Sequence, residues 1–338
     1  MSGSPDGPMK LSVIVPVRDE ADSIGALLEF CAAHGDPAME VLVIDGRSQD
    51  GTREVVSAWT QRDCRVRLID NPDLVVTTAL NLGLAAATGD VLMRLDAHAQ
   101  YAPDYIEQCL QVLEETGAGN VGGAARPLSD GSYRGDLIRA LHLSPFGIGA
   151  ARFRREGAEG PVDTVWPGCW RRAALEAAGM HVREDLPRSE DLELNARVRG
   201  AGWEIYLSPQ IKAYYQPRKS LGALLRQNFA NGVGVLHTLK AGRGGVSPRH
   251  LAPLAMVLGV LGLGAVGFAW RPAWLLLAGF VALHLTLGLV FAAKAVWPRP
   301  ARLWPALPGA FFLLHLSYGL GSLWGGLSRP RPARGSAP

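Results

Sequence analysis

Short apolar runs alternate with amphipathic segments along the first part of the chain. Runs of strand length, rich in Val, Ile and Leu, occupy residues 11–17, 39–44, 66–69 and 89–95. Between them, apolar residues recur at helical spacing over residues 22–34, 53–61 and 76–87. Buried parallel strands are apolar throughout, and amphipathic helices connect them. The pattern therefore predicts an α/β fold, with a parallel sheet and helices on both of its faces.

The middle of the chain is less regular. The patterns there predict a helix over 104–115, a strand over 120–124, and two edge strands over 204–207 and 212–215. Residues 126–162, which are rich in Gly and Arg, are predicted to form an irregular loop. An amphipathic helix is predicted over residues 220–240, and it suits a position flat in a membrane surface.

Three long stretches without a charged residue follow, at residues 251–270, 272–293 and 303–327. Each is long enough to cross the ~30 Å hydrocarbon layer of a bilayer. Tryptophans flank the stretches, as interface anchors would, at Trp270, Trp297 and Trp304. The alternative is a buried helical hairpin in a soluble domain. Three such stretches without a single acid favour membrane-spanning helices.

The formal net charge of +3 conceals a strong asymmetry along the chain. All 31 acidic residues lie at or before Glu204, together with 20 of the 34 basic residues, and the other 14 basic residues follow without an acid. An acidic half is therefore joined to a basic, apolar half. Basic apolar segments are attracted to anionic lipid. Nucleic acid binding would account for the charge of this half but not for its long apolar stretches.

The cysteines favour a reducing compartment. They are scattered through the first half of the chain, at Cys31, Cys64, Cys109 and Cys169. No two of them form a CxxC pair, so the sequence predicts neither a zinc site nor a disulfide framework. Reduced thiols in the cytosol are the simplest interpretation. Residues 1–8 are polar and lack an apolar segment, so no signal peptide is expected.

Two predicted strands end in side chains that suit a nucleotide ligand. Asp45 closes the second run, and a loop with glycines leads from it into a helix, which lets the backbone approach a ligand. Asp96 and His98 follow the fourth run two residues apart, so both side chains lie on one side of an extended chain. A carboxylate and an imidazole suit a divalent metal that also holds phosphates. The alternative is that Asp96 caps a turn and His98 is a surface residue.

An ordered set of motifs resembles the inverting family 2 glycosyltransferases of GT-A fold. The motifs are Val13-Ile14-Val15-Pro16 with Glu20, Val43-Ile44-Asp45-Gly46 with Ser48, Asp50-Gly51-Thr52, Asn81 with Gly83, Ala87 and Gly89-Asp90, and Asp96-Ala97-His98. The match covers residues 11 to about 240 in the family's order. Within the family, the chain resembles the succinoglycan biosynthesis subgroup, whose members carry membrane helices behind the catalytic domain.

The resemblance implies a GT-A (nucleotide-diphospho-sugar transferase) mixed sheet flanked by helices, plus C-terminal transmembrane helices. The implied division of the chain is a disordered tail over 1–9, a catalytic domain over 10–219, an amphipathic interface helix and linker over 220–249, about three transmembrane helices over 250–328, and a second disordered tail over 329–338. The catalytic domain is expected to be cytoplasmic, at an inner or plasma membrane that the helices cross several times.

The resemblance also implies where a nucleotide-sugar donor binds, and a UDP-sugar is the expected donor. Asp45 matches the acid that binds the nucleotide base, and Asp96 matches the first acid of the DxD motif, which binds ribose and a metal-bridged diphosphate. His98 replaces the usual second acid, and Asp96 and His98 are the expected ligands of Mn²⁺ or Mg²⁺. The expected donor-binding residues are Pro16, Val17, Arg18, Glu20, Asp45, Arg47, Ser48, Asn81, Arg94 and Asp96.

A Glu-Asp pair supplies the catalytic base in the family, and Glu190-Asp191 matches it. Asp191 is the expected base, because inversion needs one carboxylate to deprotonate the acceptor hydroxyl as it attacks the anomeric carbon. Trp170, Glu190 and Gln227 are expected on the acceptor side. Trp166 and Trp170 either stack on a sugar or belong to the core. The Arg-Trp that follows Gln-x-x in processive members is absent after Gln227, which argues against a chain-elongating synthase.

The sequence therefore predicts a membrane-anchored, hexosyltransferase-like enzyme. It would move a sugar from a nucleotide-sugar donor to a lipid-linked or membrane-proximal saccharide acceptor in cell-surface polysaccharide synthesis. One alternative is a non-catalytic membrane scaffold or transport component with a degenerate nucleotide-sugar domain. Another is a nucleotidyltransferase of similar sheet architecture.

The orientation of the membrane region is in conflict with its charges. Three full crossings that start from the cytoplasm leave Arg329, Arg331 and Arg334 outside, against the positive-inside rule. Either one stretch is re-entrant or the first loops determine the orientation. The third stretch, with Pro305 and Pro308 at its start, is the expected exception.

Overall fold

The computed structural model describes residues 9–148, 157–184, 190–240, 246–296 and 301–328. The predicted disordered tails therefore lie outside the described residues, apart from Met9. The chain forms two compact units. The first unit combines residues 1–125, 156–184 and 190–215, and the second combines residues 126–155, 185–189 and 216–338.

Four parallel strands form one half of the sheet in the first unit. They are β1 (Leu11–Val17), β2 (Glu40–Asp45), β3 (Val66–Asp70) and β4 (Val91–Arg94), in the spatial order β3-β2-β1-β4. The helices between them are α1 (Ala21–His34), α2 (Thr52–Arg62) and α3 (Val76–Ala86). Val13, Val43 and Met93 are completely buried, as expected for strands covered on both faces. The predicted alternation of strands and helices is confirmed.

Antiparallel strands complete the sheet. The strands are β5 (Ala99–Tyr101), β6 (Asn120–Pro127), β7 (Gly160–Pro161), β8 (Cys169–Arg171) and β9 (Ile205–Tyr215). The order continues from β4 as β8-β6-β9-β5, and β7 pairs with β9. The helices of this half are α4 (Tyr105–Thr116), α6 (Arg172–Ala177) and α7 (Glu190–Gly200). A mixed sheet flanked by helices confirms the architecture that the family resemblance implied.

The prediction of two edge strands over residues 204–207 and 212–215 is wrong. One continuous strand, β9, occupies this region, and it lies between β6 and β5 rather than at an edge. Pro209 lies within this strand although proline cannot donate a hydrogen bond to a neighbouring strand. The residues on both sides of Pro209 nevertheless remain in the strand.

The prediction of an irregular loop over residues 126–162 is also wrong. Helix α5 (Tyr133–Leu143) lies within this range, in the second unit. Ser132 caps the helix, because its hydroxyl accepts a hydrogen bond from Gly135 N at 3.0 Å. Ile138 and Leu141 are buried on its inner side. The glycines and arginines of the range hid this short apolar face.

The second unit also contains four longer helices. They are α8 (Leu221–Lys240), α9 (Ala252–Ala269), α10 (Pro272–Val296) and α11 (Leu307–Leu327). Among the described residues, three stretches are long and apolar enough to cross a membrane, Pro248–Ala269, Pro272–Lys294 and Leu307–Leu327, with mean hydropathies of 2.1, 2.3 and 1.2. Phe268 is 85% exposed and Leu275 is 77% exposed. Such exposure suits hydrocarbon rather than water.

Helix α8, which confirms the predicted helix over 220–240, packs along α11 through glycines. A Cβ atom at Gly321 of α11 would meet the backbone of Phe229 on α8. A Cβ atom at Gly232 of α8 would likewise meet the backbone of α11. Asn228 Nδ2 donates to Leu314 O at 2.7 Å across the same contact. Small residues allow two helices to approach at backbone distance, so this pair is closely packed.

Gly321→Ala should destabilise the protein, because the added methyl group would overlap the backbone of Phe229. Overpacking of this kind costs about 1–3 kcal/mol. Gly326→Ala is the matched control on the same helix, since no described atom lies within 4 Å of its Cβ position and alanine is the better helix former. Thermal unfolding in detergent should show a lower midpoint for Gly321→Ala and an equal or higher midpoint for the control. Equal midpoints for both variants would contradict the close contact.

Candidate active site

Hydrogen bonds join the loops that follow β1 and β2. Gly46 N donates to Val17 O at 2.8 Å, and Asp19 N donates to the hydroxyl of Ser48 at 2.9 Å. The carboxyl ends of parallel strands meet at one edge of a sheet, which is where ligands of α/β proteins bind. The predicted donor-binding residues of this region lie in or beside the two loops, and they are Pro16, Val17, Arg18, Glu20, Asp45, Arg47 and Ser48.

Asp45, at the end of β2, is completely buried. The hydroxyl of Ser48 donates to its carboxylate at 2.5 Å, and Arg53 Nη1 donates at 2.7 Å. Arg53 also forms a 2.7 Å ion pair with Asp70 at the end of β3. Asp45 therefore holds the loop after β2 and the first turn of α2 in place. Because Asp45 is completely buried, a direct contact with a nucleotide base requires that the loop after β2 or the side chain of Arg53 move.

Asp96 lies just beyond β4 and is only 5% exposed. Arg94 Nε donates to one carboxylate oxygen at 2.8 Å, and Trp166 Nε1 donates to the other at 3.1 Å. The backbone N–H of Asp96 donates to the hydroxyl of Tyr101 at 2.8 Å. Burial, the largest single influence, would raise the pKa of Asp96, but the charge and hydrogen bond of Arg94, together with the other groups around the carboxylate, outweigh burial and hold this pKa below its ordinary value. Asp96 is therefore ionised at neutral pH.

His98 lies at the surface, with its Nδ1 atom 2.9 Å from Glu20 Oε1. This contact leaves Nε2 as the ring nitrogen that can face a metal. Among the described residues, no three His, Cys, Asp or Glu side chains converge closely enough to hold a metal alone. Nucleotide enzymes often bind Mg²⁺ through one or two protein ligands and fill the other positions with substrate phosphates and water. The assignment of Asp96 and His98 as ligands of a metal that binds together with a diphosphate therefore stays a prediction.

Glu190 and Asp191 occupy the first turn of α7. Arg94 Nη1 lies 3.5 Å from Glu190 Oε1, so one guanidinium group faces both Glu190 and Asp96. Burial and the neighbouring charge of Glu190 raise the pKa of Asp191 to about 6. A carboxylate that titrates this close to neutral pH suits proton transfer. Arg94, Glu190 and Asp191 also form the polar wall of a pocket that is otherwise lined by apolar side chains.

Buried polar contacts hold α7 in position. Asn195 Oδ1 accepts a hydrogen bond from Asn120 Nδ2 at 2.8 Å, and Asn195 Nδ2 donates to Thr164 Oγ1 at 2.7 Å. Within the same helix, Arg197 pairs at 2.9 Å with the buried carboxylate of Glu193, one turn before it. The contacts of Asn195 connect the helix that carries the acid pair to β6 and to the segment before β8. The first turn of α7 is therefore attached to a rigid frame.

Three further residues were predicted to belong to the site, Asn81, Trp170 and Gln227, and each contacts a different part of the protein. Asn81 Nδ2 donates to Val182 O at 2.8 Å and thereby ties α3 to the segment before α7. Trp170 is only 9% exposed, its ring N–H donates to a buried asparagine of α7 at 3.4 Å, and it also lines the pocket that contains Glu190 and Asp191. Gln227 lies on α8 in the second unit, where its Oε1 accepts from Arg218 Nε at 3.1 Å.

Sequence reasoning missed Arg53 and Tyr101 as neighbours of the site acids, and it left Trp166 between sugar stacking and the core. Trp166 is 70 residues from Asp96 along the chain, so no local spacing connects the two. Arg53 follows Asp45 by eight residues, and a basic residue in the first turn after the glycine loop was the only available signal. Tyr101 reaches Asp96 through a tight local turn that the strand pattern did not predict.

The strand-end acids, the mixed sheet and the acid pair on α7 define a GT-A glycosyltransferase. Residues 12–175 match the family model described as Glycosyl transferase family 2. The chain is 30% identical over 247 residues to succinoglycan biosynthesis protein ExoA of Rhizobium meliloti (strain 1021), which covers 72% of this chain and 74% of that protein. It is 33% identical over 276 residues to glycosyltransferase AglE of Haloferax volcanii, covering 78% and 82%. The chain belongs to glycosyl transferase family 2.

More distant relatives agree with this assignment. The structure of mannosyltransferase PcManGT from Pyrobaculum calidifontis in complex with GDP-Man and Mn²⁺ matches 96% of this chain and 89% of that chain, with a TM-score of 0.62 and 22% identity, which shows a shared fold. A Methanococcus voltae enzyme, a dolichyl N-acetyl-α-D-glucosaminyl phosphate 3-β-D-2,3-diacetamido-2,3-dideoxy-β-D-glucuronosyltransferase, is 22% identical over 322 residues, covering 91% and 95%. The predicted glycosyltransferase is confirmed, and none of these relatives supports the scaffold or the nucleotidyltransferase.

Asn195→Ala should strongly destabilise the first unit, because the variant removes the buried partner of Asn120 Nδ2 and of Thr164 Oγ1. Each buried polar group left unpaired costs about 1–3 kcal/mol. Gln61→Ala, at an exposed position of α2, is the control and should change the free energy of unfolding by less than about 0.5 kcal/mol. Urea unfolding followed by tryptophan fluorescence measures both. Similar free energies for the two variants would show that the network does not secure α7.

Proposed function

We propose that this family 2 glycosyltransferase transfers a sugar, with inversion, from a nucleotide-sugar donor to a lipid-linked or membrane-proximal acceptor in cell-surface polysaccharide synthesis. The observation that carries the proposal is the position of Arg94. Its guanidinium group donates to Asp96 at 2.8 Å and lies 3.5 Å from Glu190, the neighbour of Asp191. The proposed diphosphate-binding acid and the neighbour of the proposed base thus face the same partly buried side chain, whose charge also acts on Asp191.

On the donor side, the loops after β1 and β2 would surround the nucleotide. Asp96 and His98 would hold a divalent metal, which would neutralise the negative charge that grows on the departing diphosphate. Arg94 keeps Asp96 ionised, and the contact of Glu20 with His98 Nδ1 orients the imidazole. The exposed side chains of Arg18 and Arg47 supply positive charge beside the same loops.

On the acceptor side, Asp191 is the proposed base. It would take the proton of the acceptor hydroxyl while the oxygen attacks the anomeric carbon from the face opposite the diphosphate. A nucleoside diphosphate leaves readily, so this reaction needs no protein acid to protonate the leaving group. The pKa of Asp191, raised to about 6, leaves the group ionised at pH 7 yet more basic than an ordinary aspartate.

The substrate classes are proposed from the chemistry of the chain and from its relatives. The GDP-Man and Mn²⁺ of PcManGT support the pairing of a nucleotide sugar with a metal. The name of the Methanococcus voltae relative describes a dolichyl-linked substrate, and this supports a lipid-linked acceptor. The basic, apolar second half of the chain supports an acceptor at a membrane as well. A UDP-sugar is the first donor to test, and GDP-mannose is the second.

Asp191→Asn should lower kcat by about 10²–10⁴-fold, because the amide cannot accept the proton of the acceptor hydroxyl. Donor affinity should not change, since Asp191 acts on the acceptor. Asp73→Asn, at an exposed position before α3, is the matched control and should keep wild-type turnover. Transfer of radiolabelled sugar and calorimetric titration of the donor measure the two quantities. Full turnover in Asp191→Asn would remove this residue as the base.

The pH profile should report the raised pKa of Asp191. Because the base must be ionised, kcat/KM should rise about tenfold per pH unit below pH 6 and level off above it. Glu190→Gln removes a negative neighbour of Asp191, which lowers the pKa of Asp191 and moves the acidic limb of the profile to lower pH. Initial rates between pH 4.5 and 8, with protein stability checked at each pH, test this. An acidic limb at the same pH in Glu190→Gln and in the wild type would mean that Asp191 does not control it.

A further inference from the structure

Helices α9 and α10 form an antiparallel hairpin. They are joined at Trp270 and Arg271, and Gly267 of α9 faces the ring of Trp274 of α10. The start of α9 and the end of α10 therefore lie at the same end of the hairpin, called here the entry end. Both helices are long and apolar enough to cross a bilayer. A chain that crosses through such a hairpin returns to the side from which it started.

The end of α8 lies beside the end of α11. His237 Nε2 is 3.1 Å from Ser328 Oγ, and Lys240 Nζ donates to Ser328 O at 2.9 Å. Nearer the starts of the two helices, Asn228 of α8 donates to Leu314 O of α11. The two helices therefore run parallel, and they end on the same side of the membrane.

Two short links join the hairpin to these helices. Residues 241–251 precede α9 and residues 297–306 precede α11. Neither link has the ~20 residues that a spanning helix needs. Non-helical backbone exposed to lipid leaves its polar groups without partners, and each link also carries two arginines, Arg243 and Arg249 in the first and Arg299 and Arg302 in the second. Hence α9 begins on the side where α8 ends, and α11 begins on the side where α10 ends.

These connections determine the topology. The hairpin returns the chain to the side where α8 ends, α11 begins there, and the end of α11 lies beside the end of α8. We infer that α11 does not cross the bilayer. The chain crosses twice, through α9 and α10, and helices Leu221–Lys240 and Leu307–Leu327 form a surface pair that lies in the headgroup region of one leaflet.

The contacts of α11 with the hairpin agree with this topology. Gly319 of α11 lies against Pro253 in the first turn of α9, and Pro308 lies against Gly288 in the second half of α10. Both contacts are towards the entry end. Helix α9 has 18 residues and is therefore ~27 Å long at 1.5 Å per residue. That length is close to the ~30 Å thickness of the hydrocarbon layer.

The exposed side chains of the surface pair suit the boundary between lipid headgroups and acyl chains. Helix α11 exposes large apolar residues in a single stripe, at Leu313, Leu320, Trp324 and Leu327. Helix α8 exposes Arg226 and Lys240. The apolar stripe would enter the acyl region, and the basic groups would meet lipid phosphates. A crossing pair would instead place Arg226 within the hydrocarbon.

The two-crossing topology also removes the charge conflict of three crossings. It gathers nine basic residues on the entry side, Lys240, Arg243, Arg249, Lys294, Arg299, Arg302, Arg329, Arg331 and Arg334. Arg271 alone flanks the helices on the other side. The positive-inside rule then places the entry end in the cytoplasm.

Thiol labelling in sealed, inside-out membrane vesicles, whose cytoplasmic face is outward, tests this topology. Native Cys64 is exposed on the first unit, whereas the other three cysteines are buried. Ser336→Cys and Arg271→Cys are made separately in a Cys64→Ser background, and the wild-type chain reports the face on which Cys64 lies. A membrane-impermeant maleimide should label Ser336→Cys from the same face as native Cys64. It should label Arg271→Cys only after the vesicles are permeabilised.

Labelling of Ser336→Cys from the same face as Arg271→Cys, opposite to native Cys64, would overturn the inference, because it requires that α11 cross the bilayer. Complete labelling of all three positions in detergent is the control for thiol reactivity. Sugar transfer by each variant is the control for a native fold, since none of the three positions belongs to the proposed site.

Discussion

The candidate site depends on one positive charge that is largely shielded from water. Arg94 donates to Asp96 and faces Glu190, so its charge is shared between the acid beyond β4 and the acid pair on α7. Buried carboxylates without such a partner would be protonated or would destabilise the fold. Arg94 lowers the pKa of Asp96, whereas burial and Glu190 raise that of Asp191. One side chain thus helps to hold the pKa of Asp96 below its ordinary value and limits the rise in the pKa of Asp191.

The two units use different physical means to hold their parts together. In the first, strand-end loops and α7 are attached by buried hydrogen bonds such as those of Asp45 and Asn195, which fix polar groups where a ligand would bind. In the second, glycines such as Gly321 let α8 and α11 approach at backbone distance. The position of Ser328 beside Lys240 then restricts how the chain can pass through a bilayer.

Much of the fold and part of the site could be predicted from the sequence. Strand-end acids such as Asp45 and Asp96 follow apolar runs, and both the runs and their order are visible along the chain. The contact of Trp166 with Asp96 was not predictable, because it depends on how distant strands pair. Helix α5 was missed because its apolar face is short. Hydropathy along the sequence shows how long an apolar stretch is, but it does not show which other helices pack against that stretch. It therefore could not reveal that α11 ends beside α8.

The most direct test of this account is the pH dependence of kcat/KM in an Arg94→Gln variant that retains its fold. Arg94 is the positive charge that opposes the rise in the pKa of Asp191. Its loss should therefore move the acidic limb of the profile above pH 6, and it should weaken donor binding through Asp96 at the same time. A variant with the wild-type profile and wild-type donor affinity would show that Arg94 does not join the two acids into one site.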